Sequence, residues 1–349
     1  MSEVQATKKK ENYVLRSFCA LIIFCIIFVH YEPCYQLFGM NAYEFVEGVG
    51  RFAIPMFFMI SGYFLYSSDG HTEKDLKRKT LRILYLLVFM KVLYFLLDCV
   101  YYSAGVISYR DLVDGLLIMN WSSKQIWFIY FLFFVYLFHW LLYRKGIDYK
   151  YAMMVGVVFL AIELFSADFC AWASIPEIFG IDMHAVGQVF YCFIAFFFFP
   201  LGYYLHKNKE RTDQWNGYLL FLILIVGAAL SVAEVIYYTP VTGVSYSSLY
   251  FGSVIITVPF FLLTFRVPEG RLRCRPLEFM GRMLLPWMYA FYMAIMFFLK
   301  FVLLKSINAS QQLVDFLGLT LSVVLDVILA FGMYLFLNRM VSKRVATTS

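Results

Sequence analysis

Apolar blocks close to twenty residues long recur along this chain with short polar loops between them, and no other feature constrains the fold as tightly. About twenty residues rising 1.5 Å each are needed to cross roughly 30 Å of hydrocarbon. In that medium a chain must satisfy its own backbone hydrogen bonds, so each block predicts a helix. The blocks run approximately at 13–31, 50–67, 82–103, 124–143, 149–166, 185–206, 216–238, 247–265, 283–305 and 312–338. Pro55, Pro200, Pro259 and Pro286 fall within or near them and predict kinks or helix starts. The stretch around Asp111–Asn120 is too short and too mixed to span, and fits an interfacial segment. The expectation is an all-α integral membrane protein, a bundle of about ten transmembrane helices.

Composition excludes the soluble alternative. Of 349 residues 62% are hydrophobic and 15% charged, with a mean hydropathy of +0.73. A soluble domain carries about a quarter charged residues. The seven cysteines show no CxxC or His/Cys spacing, so no metal is expected. Cys34 and Cys170 share the predicted outer side, where a disulfide could form.

The loops set the orientation. Of 29 lysines and arginines, 23 fall on the N-terminal arm, on alternate loops and on the tail, all on one side of the predicted membrane. Arg51, Arg110, Lys124 and Lys305 fall on the other, and Lys91 and Lys300 lie within spans. The positive-inside rule then puts both termini in the cytoplasm and makes this a multi-pass protein of the cell membrane. Residues 1–12 read as a flexible arm, 13–338 as one membrane domain and 339–349 as a tail. Topology explains the net charge of +6, so nucleic acid is not an expected partner, whereas the lipid bilayer is.

Ionisable groups inside a membrane are costly and therefore candidates for function. His30 ends the apolar run Leu21–Val29, and Arg16 begins the same helix fourteen residues earlier, roughly 21 Å along the axis. Fourteen steps of about 100° bring the two within about 40° of one face, so they could line one passage. An anchoring arginine and an interfacial histidine fit the same positions. Arg51 immediately precedes an apolar helix, with Glu32, Glu44 and Glu47 in the loop before it. A carboxylate such as Glu32 could orient the His30 imidazole, and Arg51 could hold an acceptor or stabilise an oxyanion. A surface ion pair is the other reading of Arg51. The segment Ile54–Leu65, IPMFFMISGYFL, places Ser61-Gly62 where helices could approach closely.

Taken with the Arg16-to-His30 opening, PMFFMISGYFL after Arg51 resembles the second-helix signature of acyltransferase family 3, the polytopic membrane O-acyltransferases. KRKTLRILYLLVF, QIWFIYFL around Trp127 and FFFFPLGYYL around Gly202 resemble later landmarks, so the similarity covers about residues 14–300. Thirteen residues separate Arg16 from His30, more than is usual in the family, and Tyr289-Ala-Phe-Tyr292 puts a tyrosine where Tyr-x-x-His is common. The basic loop also lacks a clean Arg-x-Arg.

The resemblance implies transfer of an acyl group from cytoplasmic acyl-CoA, acetyl-CoA by default, to a hydroxyl of a surface polysaccharide or lipid-linked glycan. No permanently bound cofactor is implied. Lys77, Arg78, Lys79 and Arg82 would bind the phosphates of coenzyme A, with Arg16 at the channel mouth; Arg271, Arg273 and Arg275 are an alternative set. His30 would act as general base or transient acyl carrier. Trp121, Trp172, Tyr101 and Tyr102 offer stacking surfaces for sugar and equally suit interfacial anchors. Asp98, Glu163, Glu234 and Asp326 lie within spans and also suit a rival reading, a secondary transporter or flippase for a lipid-linked sugar. A homo-oligomer is compatible with either.

Overall fold

The computed structural model describes residues 12–37, 39–66, 73–117, 122, 126–170, 173, 175, 177–242, 249–268, 271, 273–300 and 310–348. The arm before Asn12, together with Trp121, Lys124, Trp172 and Lys305, lies outside the described residues.

The first helix, α1 (Tyr13–Tyr31), has the predicted bounds. Its ends follow from local chemistry. The Asn12 side chain accepts from the Leu15 backbone N–H at 2.9 Å, capping the start. At the far end Glu32 turns left-handed at φ 54°, its N–H bonds back to the Val29 carbonyl, and Pro33 forbids continuation. The second block begins earlier than predicted and divides into α2 (Ala42–Gly50) and α3 (Ala53–Tyr63). Its polar start, with Asn41 and Glu44 forming a capping box, did not read as part of a span. The next helix, α4 (Glu73–Ser103), takes in the whole basic stretch, because lysine and arginine are good helix formers.

The mixed segment is a helix, α5 (Tyr109–Leu117), opened by reciprocal bonds between Ser108 and Asp111. Two ionisable residues of α4 tie down this stretch, Lys91 holding α5 and Asp98 holding Ser122 beyond it. The Lys91 ammonium donates to the Gly115 carbonyl at 2.7 Å, and Asp98 accepts from the Ser122 hydroxyl at 2.6 Å. Then follow α6 (Trp127–Arg144) and α7 (Lys150–Glu163), the latter running into a π-helical turn, Leu164–Phe169. Next come α8 (Met183–Phe193), α9 (Ala195–Lys207), the short α10 (Lys209–Asp213), α11 (Gly217–Thr242) and α12 (Phe251–Thr264). A short α13 (Arg275–Phe279) leads through a second π turn, Met280–Leu284, into α14 (Leu285–Phe298), and α15 (Gln311–Thr348) ends the bundle. Two antiparallel two-residue hairpins, Gln36–Leu37 with Met40–Asn41 and Glu177–Ile178 with Ile181–Asp182, sit in connections.

Among the described residues nine helical stretches are long and apolar enough to cross a membrane, and α12 is a shorter apolar helix at the eighth predicted block. The outward faces are apolar: Val88, Val92, Leu96 and Val100 form an exposed stripe along α4. Such a stripe suits lipid, not water. Cys34 and Cys170 are free thiols.

Inside, α3 and α9 cross at a pair of glycines. A Cβ on Gly62 would overlap the Phe199 carbonyl, and a Cβ on Gly202 would overlap the Met59 carbonyl. The two resembling motifs, one in each helix, thus meet backbone to backbone, a close approach that only small residues permit.

Candidate active site

One face of α1 sets the position of the site. Asn12, Arg16, Cys19, Ile23, Ile26 and His30, spaced by three or four residues, line a cavity of about 540 Å³. The period is that of a single helix face, so the two ionisable residues stand at opposite ends, about 21 Å apart along the axis. The facing wall comes from α3, where Ile54, Phe57, Ile60 and Ser61 recur at the same period, with Phe64 just beyond. Trp127, Phe128 and Leu132 of α6 and Leu285, Pro286, Tyr289 and Tyr292 of α14 close the sides. Between its ends the passage is almost wholly apolar.

The end near Arg16 is cationic. Arg16 and Arg282 both line it. Arg282 stands on the π turn, beside Gly281, where a Cβ would overlap the Arg16 carbonyl. A π turn carries an extra residue per turn and is frequent where a helix has been reshaped for function. Here it brings a second arginine to the mouth. Glu278 lies 3.9 Å from Arg16 and 3.1 Å from Arg273, and the Arg273 guanidinium stands 5.7 Å from the Tyr13 ring centre. Arg16 and Arg273 therefore share one carboxylate while Arg282 lines the same mouth, so cationic side chains outnumber that acid.

The other end holds the imidazole. The His30 ring lies 5.8 Å from the Tyr292 ring, the two planes 32° apart. Tyr289 packs against Tyr292 at 6.0 Å and against Phe128 at 5.8 Å, so an aromatic layer surrounds this end. Tyr292 thus occupies the place beside His30 that the Tyr-x-x-Tyr departure marks.

The structure brings together Arg16 and His30 but not the other sequence candidates. Glu32 ends α1, and its side chain is exposed. Arg51 does not line the cavity; it pairs with Glu47 at 2.7 Å and stands 5.9 Å from the Tyr191 ring centre. Of the basic loop, Lys79 comes nearest, donating to the carbonyl of the cavity residue Phe64 at 2.9 Å. Arg78 pairs with Asp75 at 2.9 Å, and Lys77 and Arg82 are exposed. Tyr101 is buried, and Tyr102 is exposed beside Tyr109. Among the described residues no group of three or more His, Cys, Asp or Glu side chains could hold a metal ion.

Sequence reasoning missed Arg282, counting it only as a loop charge. Its position immediately before an apolar helix, like that of Arg16, was the available signal. It also missed Tyr289 and Tyr292 as walls, since aromatic residues are too frequent in this chain for any two to stand out.

The chain was compared with protein families, curated proteins and solved structures. Neither the curated proteins nor the solved structures gave a match. The family comparison matched residues 18–335 to an acyltransferase domain, the model of acyltransferase family 3. That span includes the cavity from Cys19 to Tyr292 and reaches into α15. The chain belongs to acyltransferase family 3 and is a multi-pass membrane acyltransferase.

Proposed function

We propose that the protein is an O-acyltransferase which takes an acyl group, acetyl by default, from cytoplasmic acyl-CoA. It passes that group to a hydroxyl of a surface polysaccharide or lipid-linked glycan precursor. The observation that carries this reading is the single cavity with arginines at one end and His30 at the other. Arg16 and Arg282, with Arg273 and Lys79 beside them, would bind the phosphates of coenzyme A, which suit guanidinium forks and an ammonium. The apolar passage takes the extended pantetheine arm and excludes water from the thioester. The acyl carbon then lies near His30.

The chemistry at that end needs a base. His30 takes the proton of the acceptor hydroxyl as its oxygen attacks the thioester carbonyl. A carbon–oxygen bond forms, the carbon–sulfur bond breaks, and the imidazolium returns the proton to the leaving thiolate. Positioned general acid–base catalysis of this kind contributes about 10²–10⁴-fold. With the arginine end in the cytoplasm, as the distribution of basic loops favours, the acceptor approaches His30 from the outer side of the cell membrane.

The experiment uses purified protein in lipid vesicles with acetyl-CoA and a polysaccharide extract from the source organism. Free CoA thiol and transferred acetyl are followed for the wild type and for His30→Ala. The reading predicts transfer by the wild type and a loss of at least a hundredfold in the variant. Equal transfer by both would remove His30 from the chemistry. No transfer with any of several acyl-CoA donors, from folded protein, would overturn the reading.

A further inference from the structure

The passage and the donor can be measured against each other. Arg16 and His30 stand about 21 Å apart along the α1 axis. The arm of coenzyme A counts about thirteen bonds from its nearer phosphorus to its sulfur, and an extended chain at roughly 1.2 Å per bond makes this roughly 16 Å. A guanidinium-to-phosphate contact adds about 3 Å. The sulfur therefore reaches the level of the imidazole, and any acyl carbon after the carbonyl must fit at or beyond that level.

That end is closed. The π turn and α14 run beside α1 in the same direction: Gly281 lies against the Arg16 carbonyl at one end, and Tyr292 lies against His30 at the other. Tyr289, one turn nearer the arginines, continues the wall. A methylene chain between two rings needs about 3.5–4.0 Å to the carbons on either side, so the rings must stand roughly 7–8 Å apart. The ring centres here are closer, at 5.8 Å from His30 to Tyr292, 6.0 Å from Tyr292 to Tyr289 and 5.8 Å from Tyr289 to Phe128. Tyr292 has no free space to swing into. It is completely buried, in one core with Tyr94, Met288, Met293 and Met296.

We propose that Tyr292, with Tyr289 beside it, sets the length of the acyl group that is transferred, admitting about two or three carbons and rejecting longer chains. This rests on the acyl-transfer reading above. The two rings meet the tail of the donor and take no part in moving the proton. With the phosphates held by the arginines, a longer tail presses on the wall and holds the thioester carbonyl back from the imidazole. Each added carbon displaces it by roughly 1.2 Å. A misplacement of about 1 Å can cost about a hundredfold in rate.

The test follows free CoA and transferred acyl in the vesicle assay, with acetyl-, propionyl-, butyryl- and hexanoyl-CoA against the same polysaccharide extract. The wild type should prefer acetyl-CoA to butyryl-CoA by at least about a hundredfold in kcat/KM. Tyr292→Leu lowers the wall and keeps it apolar, and should raise the butyryl-to-acetyl ratio by at least about tenfold. Tyr292→Phe should keep the wild-type preference, because the wall acts by its bulk and not by its hydroxyl. A wild type that transfers butyryl as fast as acetyl, or faster, would overturn the inference while leaving the acyltransferase reading intact. An unchanged ratio in Tyr292→Leu, or an equal rise in Tyr292→Phe, would overturn it as well. Should Tyr292→Leu fail to fold, Tyr289→Leu carries the same expectation, and an unchanged ratio there would overturn it equally. A folded wild type inactive with every donor would bring down the acyl-transfer reading and this inference with it.

Discussion

The Arg16–His30 passage and the Arg51–Glu47–Tyr191 cluster both put charged side chains within the helix bundle, and Trp127 stands between them. It lines the passage on one side and packs against Tyr191 at 5.3 Å on the other. In sequence the two regions make similar claims on function. In space they differ by what faces the charge. Arg51 meets a carboxylate at 2.7 Å and an aromatic ring, so its charge is matched within the protein. Arg16 shares an acid with Arg273, Arg282 lines the same mouth, and both Arg16 and Arg282 border open volume, as His30 does. A charge inside a membrane protein marks a candidate site when it borders a volume that a ligand could enter. Otherwise it is a fastening, as Lys91 is for α5 and Asp98 is for Ser122 beyond it.

The largest expected effects separate the two regions directly. His30→Ala should cost at least a hundredfold in CoA release with folded protein intact. Glu47→Gln, which strands a mostly buried guanidinium, should destabilise by up to about 3 kcal/mol and lower the thermal midpoint. The rate per folded molecule should then stay within about twofold of wild type. Equal losses of rate in both variants would erase the distinction.

Next in size is the packing that holds the second cavity wall. Gly62→Val drives a side chain into the Phe199 carbonyl and should cost about 1–3 kcal/mol or more, read as a lower yield of monodisperse protein. Because Gly202 serves the same crossing, the pair of substitutions should cost less than the sum of the singles. Strict additivity would mean that the two glycines act apart.

A smaller effect sharpens the account of the mouth. Arg282→Ala should raise KM for acyl-CoA about tenfold through loss of a charged hydrogen bond, whereas Lys77→Ala should leave it within about twofold. The reverse order would return the phosphate site to the basic loop. Smallest of all is a contact between a loop and a span. Asp148 accepts from the Tyr204 hydroxyl and from the Lys150 backbone N–H, which hold its carboxyl below the usual carboxylate range. A depressed carboxylate stabilises above its unfolded pKa and loses that contribution as pH falls through the folded one. Asp148→Asn should therefore destabilise by less than about 1 kcal/mol at pH 7, because solvent screens the group, and lower the thermal midpoint slightly. The difference should begin to shrink below about pH 4 and vanish only once pH has fallen through the folded value.

How far the sequence could be read follows the same physics. Hydrocarbon thickness sets block length, so α1 was legible to the residue and most other spans to within several, whereas the second, third and ninth begin about eight or nine residues before the predicted blocks. The Arg16–His30 face was legible because both lie on one helix, where angular arithmetic suffices. Arg282, Tyr289 and Tyr292 were not, because they join the site from helices distant in sequence and no local period reports that meeting. Glu32 and Arg51 were misleading for a related reason. Proximity in sequence to His30 suggested proximity in function, but Glu32 ends its helix exposed and Arg51 turns to its own acid. The start of α4 was hidden because basic residues set topology without stopping a helix.

The measurement that tests the central claim most directly is an electron cryomicroscopy structure of the full chain in lipid nanodiscs with a non-hydrolysable acetyl-CoA analogue. The account predicts phosphate density against Arg16 and Arg282, an extended arm along the α1 face past Cys19 and Ile23, and the acyl carbon beside His30. Density for the donor at the Lys77–Arg82 surface or beside Arg51, with the α1 passage empty, would contradict it.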